Sequence, residues 1–475
     1  MKSNQSIRML TAILAMLAGM AAHAADGYGG AWPHSNPPGA VSGGAGGYAN
    51  YIADTNYDLS DGPGNYITDE FTVEPPPPPG GFSDYLHDRP RGHAGGKGKA
   101  CTTGSCGLGF GQDPFGPDAW GVLRLWGQVD YMMTWTKGRH LPPLVTTGNQ
   151  AGRGRLGEPG TEILFGGEAV GEDIRTGGRF GLGVWLDPCQ NIGIGGRFFL
   201  TENDWVPFSD SSQNTPMLAR PFFDTNPLEN TQSVLRVADP WRVPVLEGRV
   251  DATATNEVHN LDAYFRLGLY QCGERRLDLL TGYQYSEIRD GLAIRHRSVD
   301  AFSEFTFEDE FRAENTFHGA AVGLSGEYEQ GPLTLQLMSK IGFGNMRQRV
   351  RIAGESVVDD FDGGSSTFDG GLLALGSNLG THTDAAFAVA PEAKVRLSYQ
   401  VTPHWDIALG YSLLYWTNVA LAGDQIETGP LGAPLVNSTQ LWDGDLDGPD
   451  NPSLPRIRDG GFWAQGMTFG VTFQH

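Results

Sequence analysis

Phe462-Trp463-Ala464-Gln465-Gly466-Met467-Thr468-Phe469-Gly470-Val471-Thr472-Phe473-Gln474-His475 closes the chain, and the spacing of its side chains decides how the rest is read. Taken two at a time from the end, Trp463, Met467, Phe469, Val471 and Phe473 fall on one face, and Ala464, Gly466, Thr468, Gly470 and Thr472 on the other. A period of two belongs to a strand, because successive Cβ atoms of a pleated backbone point to opposite faces. Large apolar side chains on one face, against small or hydroxylated ones on the other, suit a strand with hydrocarbon outside and a crowded polar interior. A soluble sandwich strand alternates too, so the assignment depends on whether the pattern recurs and how its connections are arranged.

It recurs from Ala119 onward. Leu123, Leu125, Val129, Tyr131, Met133 and Trp135 share a face opposite Arg124, Gln128, Asp130 and Thr134. Phe180, Leu182, Val184 and Leu186 follow, then Ile192, Ile194, Phe198 and Leu200. Further on, Leu261, Phe265, Leu267 and Leu269 oppose Asn260, Asp262, Tyr264 and Arg266, and Leu277, Leu279, Tyr283 and Tyr285 come next. Residues 315–328 alternate more weakly, and Leu333, Leu335, Leu337, Ile341 and Phe343 oppose Gln336 and Lys340. Val395, Leu397, Tyr399 and Val401 oppose Lys394, Arg396 and Gln400, and Trp405, Ile407, Leu409, Tyr411 and Leu413 precede the C-terminal strand. The total is about ten strands, most near the ~9–11 residues of a tilted bilayer crossing.

The connections sort themselves. They are short at 188–190, 271–275, 329–332 and 402–404, and long at 137–178, 203–257, 287–314, 344–385 and 418–461. Short turns at one rim and long loops at the other mark an outer-membrane barrel, whereas a sandwich has no reason to alternate them. Ten strands also return both ends to the periplasm; twelve, with one hairpin hidden in a long loop, is the other count. The fold class expected is therefore all-β: a transmembrane antiparallel up-and-down barrel over 119–475. Thr468, Gly470, Phe473 and the last residue, His475, resemble the C-terminal assembly signal of bacterial outer-membrane barrels, with His475 standing where an aromatic or aliphatic residue is usual.

The N-terminal part agrees. Residues 1–24 join Lys2 and Arg8 to an apolar run from Met9 to Ala22 and a small-x-small site at Ala22-His23-Ala24, which predicts a cleaved signal peptide. No later run approaches the ~18 apolar residues of a membrane helix, and a barrel is the other structure that satisfies every backbone group in lipid. Residues 25–118 are rich in Gly and Pro, with the run Pro75 to Pro79 and a basic patch of His87, Arg89, Arg91, His93, Lys97 and Lys99. Such a segment buries too little apolar surface to offset its ordering entropy, which predicts a disordered periplasmic tether. The patch is either a solvated linker or a contact for an anionic envelope polymer.

Composition excludes some partners. The 475 residues carry a net charge of -22, with 68 Gly and 30 Pro, and mean hydropathy is -0.29. A barrel looks water-soluble on average because its loops and half of each strand are polar. The acidic balance excludes nucleic acid as an expected partner; the expected ones are the lipid bilayer and the outer-membrane assembly machinery.

Several stretches carry a family resemblance: Trp135-Thr136-Lys137-Gly138, Leu141-Pro142-Pro143-Leu144-Val145-Thr146-Thr147, Arg155-Leu156-Gly157, Pro159-Gly160-Thr161, Leu164-Phe165-Gly166-Gly167, and Gly177-Gly178-Arg179-Phe180 to Trp185-Leu186-Asp187. With Leu218-Ala219-Arg220-Pro221-Phe222-Phe223 and Leu277-Asp278-Leu279-Leu280-Thr281-Gly282-Tyr283, they make the chain resemble the outer-membrane β-barrel porin family seven, the beta-barrel porin-7 type. The resemblance covers residues 120–345 well and the remainder by pattern. It implies a barrel in the outer membrane, not a particular solute.

Candidate sites follow. Cys189 and Cys272 fall on short turns at one rim and are expected to bridge, with two free thiols as the other outcome; Cys101 and Cys106 lie in the tether, where a local disulfide fits. Asp443, Asp445 and Asp447 with Gly448 space oxygens as the first half of a calcium loop does, but Leu454 stands where the bidentate Glu belongs, so an acidic turn explains them as well. No other cofactor is expected. HExxH, P-loop and complete G-x-S-x-G motifs are absent, and the glycine clusters at 107–111 and 193–196 lack a βαβ context. The expectation is therefore a non-enzyme; an omptin-like rim protease using Asp359, Asp360, His382 and Asp384 is a remote alternative, because those residues fall in one loop. Inward positions include Arg124, Asp130, Arg179, Arg197, Asp262, Arg266, Asp278, Lys340, Lys394, Arg396 and Asp406. In a ten-stranded barrel such mixed charges pair into a plug, whereas an open channel belongs to wider barrels. The expected function is a narrow structural or surface-binding barrel with at most weak conduction; the alternative is a diffusion porin for small hydrophilic solutes.

Overall fold

The computed structural model describes residues 124–187, 189–438 and 456–474. Ten antiparallel strands close into a ring: β1 (Arg124–Thr136), β2 (Arg175–Trp185), β3 (Ile192–Thr201), β4 (Glu247–Cys272), β5 (Arg275–Val299), β6 (Ser303–Gln330), β7 (Leu333–Asp360), β8 (Gly380–Gln400), β9 (Trp405–Val419) and β10 (Gly460–Gln474). Each pairs with the next in sequence, and β10 returns to β1, with Met467 opposite Met133 and Phe473 opposite Gly127. Closure leaves no unpaired strand edge to face lipid, the condition a sheet must meet to cross a bilayer. No helix among the described residues is long and apolar enough to cross instead. The signal peptide, the tether with its basic patch, Cys101, Cys106, the Asp443–Asp445–Asp447 motif and His475 lie outside the described residues.

The lower half follows the period-two reading. Leu125, Val129 and Tyr131 on β1, Phe265 on β4, Ile407 and Leu409 on β9, and Met467, Phe469 and Val471 on β10 are exposed on the outer face. Between them Asp130, Asp262 and Thr468 are buried inside. The connections β2–β3, β4–β5, β6–β7 and β8–β9 are short and share one rim.

The long connections differ from expectation. Residues 287–314 and much of 344–385 are not loops: β4, β5, β6 and β7 run for 26, 25, 28 and 28 residues, more than twice the ~9–11 of a crossing. Past the lipid band the period of two persists but its polarity inverts. On β5, Tyr283 points out and Gln284 and Ser286 point in; higher up, Arg289, Arg295 and Arg297 point out while Ile288, Leu292 and Ile294 are buried. On β7, Ile341 and Phe343 point out over an inward Lys340, then Arg347, Arg349 and Arg351 point out over buried Met346, Val350 and Ile352. The wall thus leaves hydrocarbon for water, and its apolar side chains move to the inner face.

That inner face is covered by the remaining loops. Asp204–Ser211 pairs with the upper part of β4. A second sheet lines up Thr231–Ala238, Leu218–Asp224, Val145–Thr147 and Glu162–Phe165, with Leu435–Val436 added in parallel to Leu218–Asp224. Its Val145, Phe165, Leu218, Phe222 and Val237 pack with Val250, Leu292, Phe311 and Val350 of the wall in one buried apolar cluster. The extracellular part is therefore a folded cap with its own core, built on extended barrel strands.

Candidate functional site: a packed lumen under a folded cap

Above the short-turn rim, Arg266 on β4 contacts Asp278 on β5 (2.5 Å) and Glu327 on β6 (2.6 Å), and Arg276 contacts the same Asp278 (2.8 Å). Arg266 and Arg276 both lie over the ring of Trp185. One layer higher, Arg197 on β3 reaches Asp262 (2.5 Å) and Glu392 (2.5 Å), and Lys340 on β7 reaches the same carboxylates (2.5 and 3.0 Å). Four strands are tied across the lumen by this square of alternating charge. Beside it, Arg396 donates to Asp130 (2.6 Å) and Thr472 (2.9 Å), and Arg179 donates to Ser412 (2.9 Å). Such buried pairs add little net stability over apolar packing, but removing one partner strands a charge and costs about 3–5 kcal/mol.

Two glycines make room for these groups. A Cβ on Gly470 would collide with Asp130 Oδ1 and Val129 O, so the glycine of the C-terminal signal is where β10 lets Asp130 lie flat. Gly183 likewise gives way to the inward ring of Trp126, which stacks on Tyr264 at 6.4 Å.

Polar groups then give way to apolar ones. Ser286 donates to Asn260 (2.7 Å) and accepts from Trp416 Nε1 (3.0 Å). Trp416 belongs to a buried cluster with Met132, Phe199, Val258, Ile288, Phe317, Met346 and Phe462 that crosses the bore. Phe462 departs from the small-residue rule for the inner face of β10 because it reaches this layer. Above it, Arg139 pairs with Asp204 and with Asp290 (3.4 Å), Asn256 donates to Asp290 (3.2 Å), and Ala422 N donates to Asp290 (2.8 Å). Burial raises the Asp290 pKa above the usual carboxylate range, against the pull of Arg139. At the top, Arg220 of the cap pairs with Asp309 of β6 (2.7 Å) and contacts His296 (3.3 Å), which stacks on Phe307. Burial, and then Arg220, hold His296 well below its ordinary pKa. Asp424, in the connection before β10, is pushed up to about 6 by burial.

Among the inward positions read from sequence, Asp130, Arg179, Arg197, Asp262, Asp278, Lys340, Lys394 and Arg396 are buried in these layers and Arg266 is half-buried. Arg124 and Asp406 sit nearer the short-turn rim and are partly exposed. Glu392, Glu327 and Arg276 were missed, although Glu392 lies two and four residues before Lys394 and Arg396 on the same face. Arg139, Asp204, Arg220, Asp290 and Asp309 were missed because their stretches were read as loops. Cys189 and Cys272 stand on adjoining turns, where Gly268 N donates to Asn191 O (2.7 Å) and Arg276 to Gln190 O (2.6 Å). The protease candidates are not brought together as a catalytic set: His382 contacts Asn378 O (2.9 Å), Asp360 accepts from Ser303 (2.7 Å), and Asp384 accepts from Ala385 N (2.8 Å). No group of His, Cys, Asp and Glu suited to a metal occurs among the described residues.

The family model described as "Putative beta barrel porin-7 (BBP7)" matches residues 126–475. Among solved structures, the chain is similar to the outer membrane protease OmpT from Escherichia coli, at 11% identity over 74% of this chain and 97% of that one, with a TM-score of 0.35. It is similar to a FadL homologue of Pseudomonas aeruginosa, at 8% identity, 74% and 90% coverage and a TM-score of 0.20. The anion-selective porin from Comamonas acidovorans matches at 9% identity, with 74% and 99% coverage and a TM-score of 0.15. No curated protein sequence matches the chain.

Proposed function

We propose, since the chain belongs to the beta barrel porin-7 family, that this outer-membrane β-barrel serves as a closed structural or surface-binding barrel that carries a folded cap on the cell surface. One observation carries the reading: the bore is crossed by ion pairs among Arg197, Asp262, Lys340 and Glu392 and, above them, by the apolar layer around Trp416 and Phe462. A ten-stranded ring has a bore little wider than its inward side chains, and here those side chains meet. The porin family name favours the other reading, diffusion of small hydrophilic solutes. Liposome swelling separates them. Proteoliposomes of the folded protein in arabinose or sucrose are expected to swell no faster than empty ones, and swelling that falls with solute size would establish the diffusion pore.

The same reading makes the protein a non-enzyme, supported by the separation of the rim residues that proteolysis would need. It includes export by a signal peptide cleaved after Ala24, so N-terminal sequencing of envelope protein should begin at Ala25. It also includes a bridge between Cys189 and Cys272, favoured by the hydrogen bonds that join their turns. Peptide mapping without reduction should recover the two turns as one linked peptide; a free thiol at either position would remove the bridge.

A further inference from the structure

The charges of the middle lumen layer do not balance. Arg179, Arg197, Lys340, Lys394 and Arg396 face Asp130, Asp262 and Glu392, five positive groups against three negative, all buried. The three carboxylates are already engaged: Asp262 and Glu392 by Arg197 and Lys340, Asp130 by Arg396. Arg179 and Lys394 are left over. Arg179, 1% exposed, donates through Nη2 to Ser412, while its Nε and Nη1 have no hydrogen-bond partner. Lys394 stands directly across the β8–β9 pair from that Ser412. Among the described residues Lys394 makes no ion pair or hydrogen bond, and the cations Arg179, Arg396 and Arg197 act on it more strongly than the acid Asp130. Thr468 completes the group: its buried Oγ1 is also without a partner and lies over Gly410, two residues along β9 from Ser412.

Uncompensated charge is among the most expensive things to bury, and unmade hydrogen bonds to charged donors add to the cost. Water would satisfy donors but leave the charge. We infer that Arg179, Lys394, Ser412 and Thr468 bound a site in the lumen for a small inorganic anion of the halide class. Its size follows from what surrounds it. The apolar layer with Met132 and Phe199 lies above, Phe199 carrying the Arg179 guanidinium on its ring at 5.9 Å, and the Arg396–Asp130 pair lies beside it. A bound anion would complete the packing of the bore. The inference goes beyond the closed-barrel reading, because the charge count stands whether or not the barrel conducts.

Bromide is the probe. Full-length protein, purified folded from membranes and crystallised in bromide, should show anomalous density in contact with Lys394 Nζ and Arg179. In solution, at constant ionic strength and scan rate, the apparent melting midpoint should rise by about 2 °C for each tenfold increase in bromide above Kd, and not with gluconate. Lys394→Met and Arg179→Met should each abolish both effects. Should either variant fail to fold, the wild-type density decides alone. Absence of that density in the wild type, or a bromide-specific shift that survives in both variants, would overturn the site; a neutral Lys394 with water beside it gives the first of these results.

Discussion

Asp262 shows how one side chain can hold a lumen shut. It accepts from Arg197 and Lys340, strands β3 and β7 meeting on β4, and Glu392 of β8 closes the square. Asp262→Asn keeps the shape and removes the charge, leaving both cations with one carboxylate. The variant should lose about 3–5 kcal/mol in equilibrium unfolding of the detergent-folded barrel; a loss below about 1 kcal/mol would mean that water already screens these groups. At Gly470 the prediction is steric. Gly470→Val should push Asp130 from Arg396 and slow folding into bilayers, whereas Thr472→Val, losing one hydrogen bond to Arg396, should cost only about 1 kcal/mol. His296 gives a pH dependence. Its folded pKa is depressed, so the fold binds fewer protons there than the unfolded chain, and the stability it contributes is present above about pH 6.5 and is lost as pH falls. The slope is at most about 1.4 kcal/mol per pH unit. Asp290 and Asp424, both raised, act in the opposite sense: what they contribute is present below the ordinary carboxylate pKa and is lost as pH rises, for Asp424 through about 6. Between pH 7 and 6 the change in protease resistance of the cap should therefore be less favourable in the wild type than in His296→Gln, which keeps the two acids and loses the histidine.

At the scale of the element, the strands were legible because lipid enforces apolar-out, polar-in alternation, and each of the ten alternating segments marks a ring strand. Their lengths were not. Above the bilayer the same period continues with the faces exchanged, as in Arg347, Arg349 and Arg351 outside Met346, Val350 and Ile352. A reading tuned to outward leucines takes such a stretch for a loop. Glu392 was missed for a different reason: it pairs with Lys340 below that exchange, and the Ala- and Pro-containing run before Lys394 has no outward leucine to mark its strand. Two substitutions on β6 test the exchange. Val322→Arg faces lipid and should cost about 2–4 kcal/mol near the bilayer midplane, while the outward Arg312 is in water and Arg312→Leu should shift stability by no more than about 0.5 kcal/mol. On the inner face, Phe311→Ala should cost the cap about 3–5 kcal/mol, read as new protease cleavage in residues 137–174 with the barrel still resistant to cold detergent. Equal effects at Val322 and Arg312 would place both in one environment and remove the boundary drawn between them.

For the whole molecule, the layers add up to a barrel with its bore filled at several heights: ion pairs near the short-turn rim, a second charged layer, an apolar disc, and a cap whose core is continuous with the upper wall. The mixed signs of the inward residues made pairing the expected outcome. Which carboxylate meets which cation was not legible, since partners such as Arg197 and Glu392 lie far apart in sequence and are joined only by ring closure. The cap was invisible for a similar reason: its strands are short, and their apolar residues find partners on strands read as loops. Single-channel recording in a planar bilayer is the most direct measurement. The wild-type barrel, shown folded by heat-modifiable gel mobility, should give no stable steps, and a variant with Asp262, Lys340 and Glu392 replaced by Ala should stay silent too, because the apolar disc around Trp416 and Phe462 still crosses the bore. Stable wild-type steps of a few hundred picosiemens, roughly the scale of a water-filled bore wider than the eight-strand limit, would contradict the closed lumen and make the protein a diffusion porin.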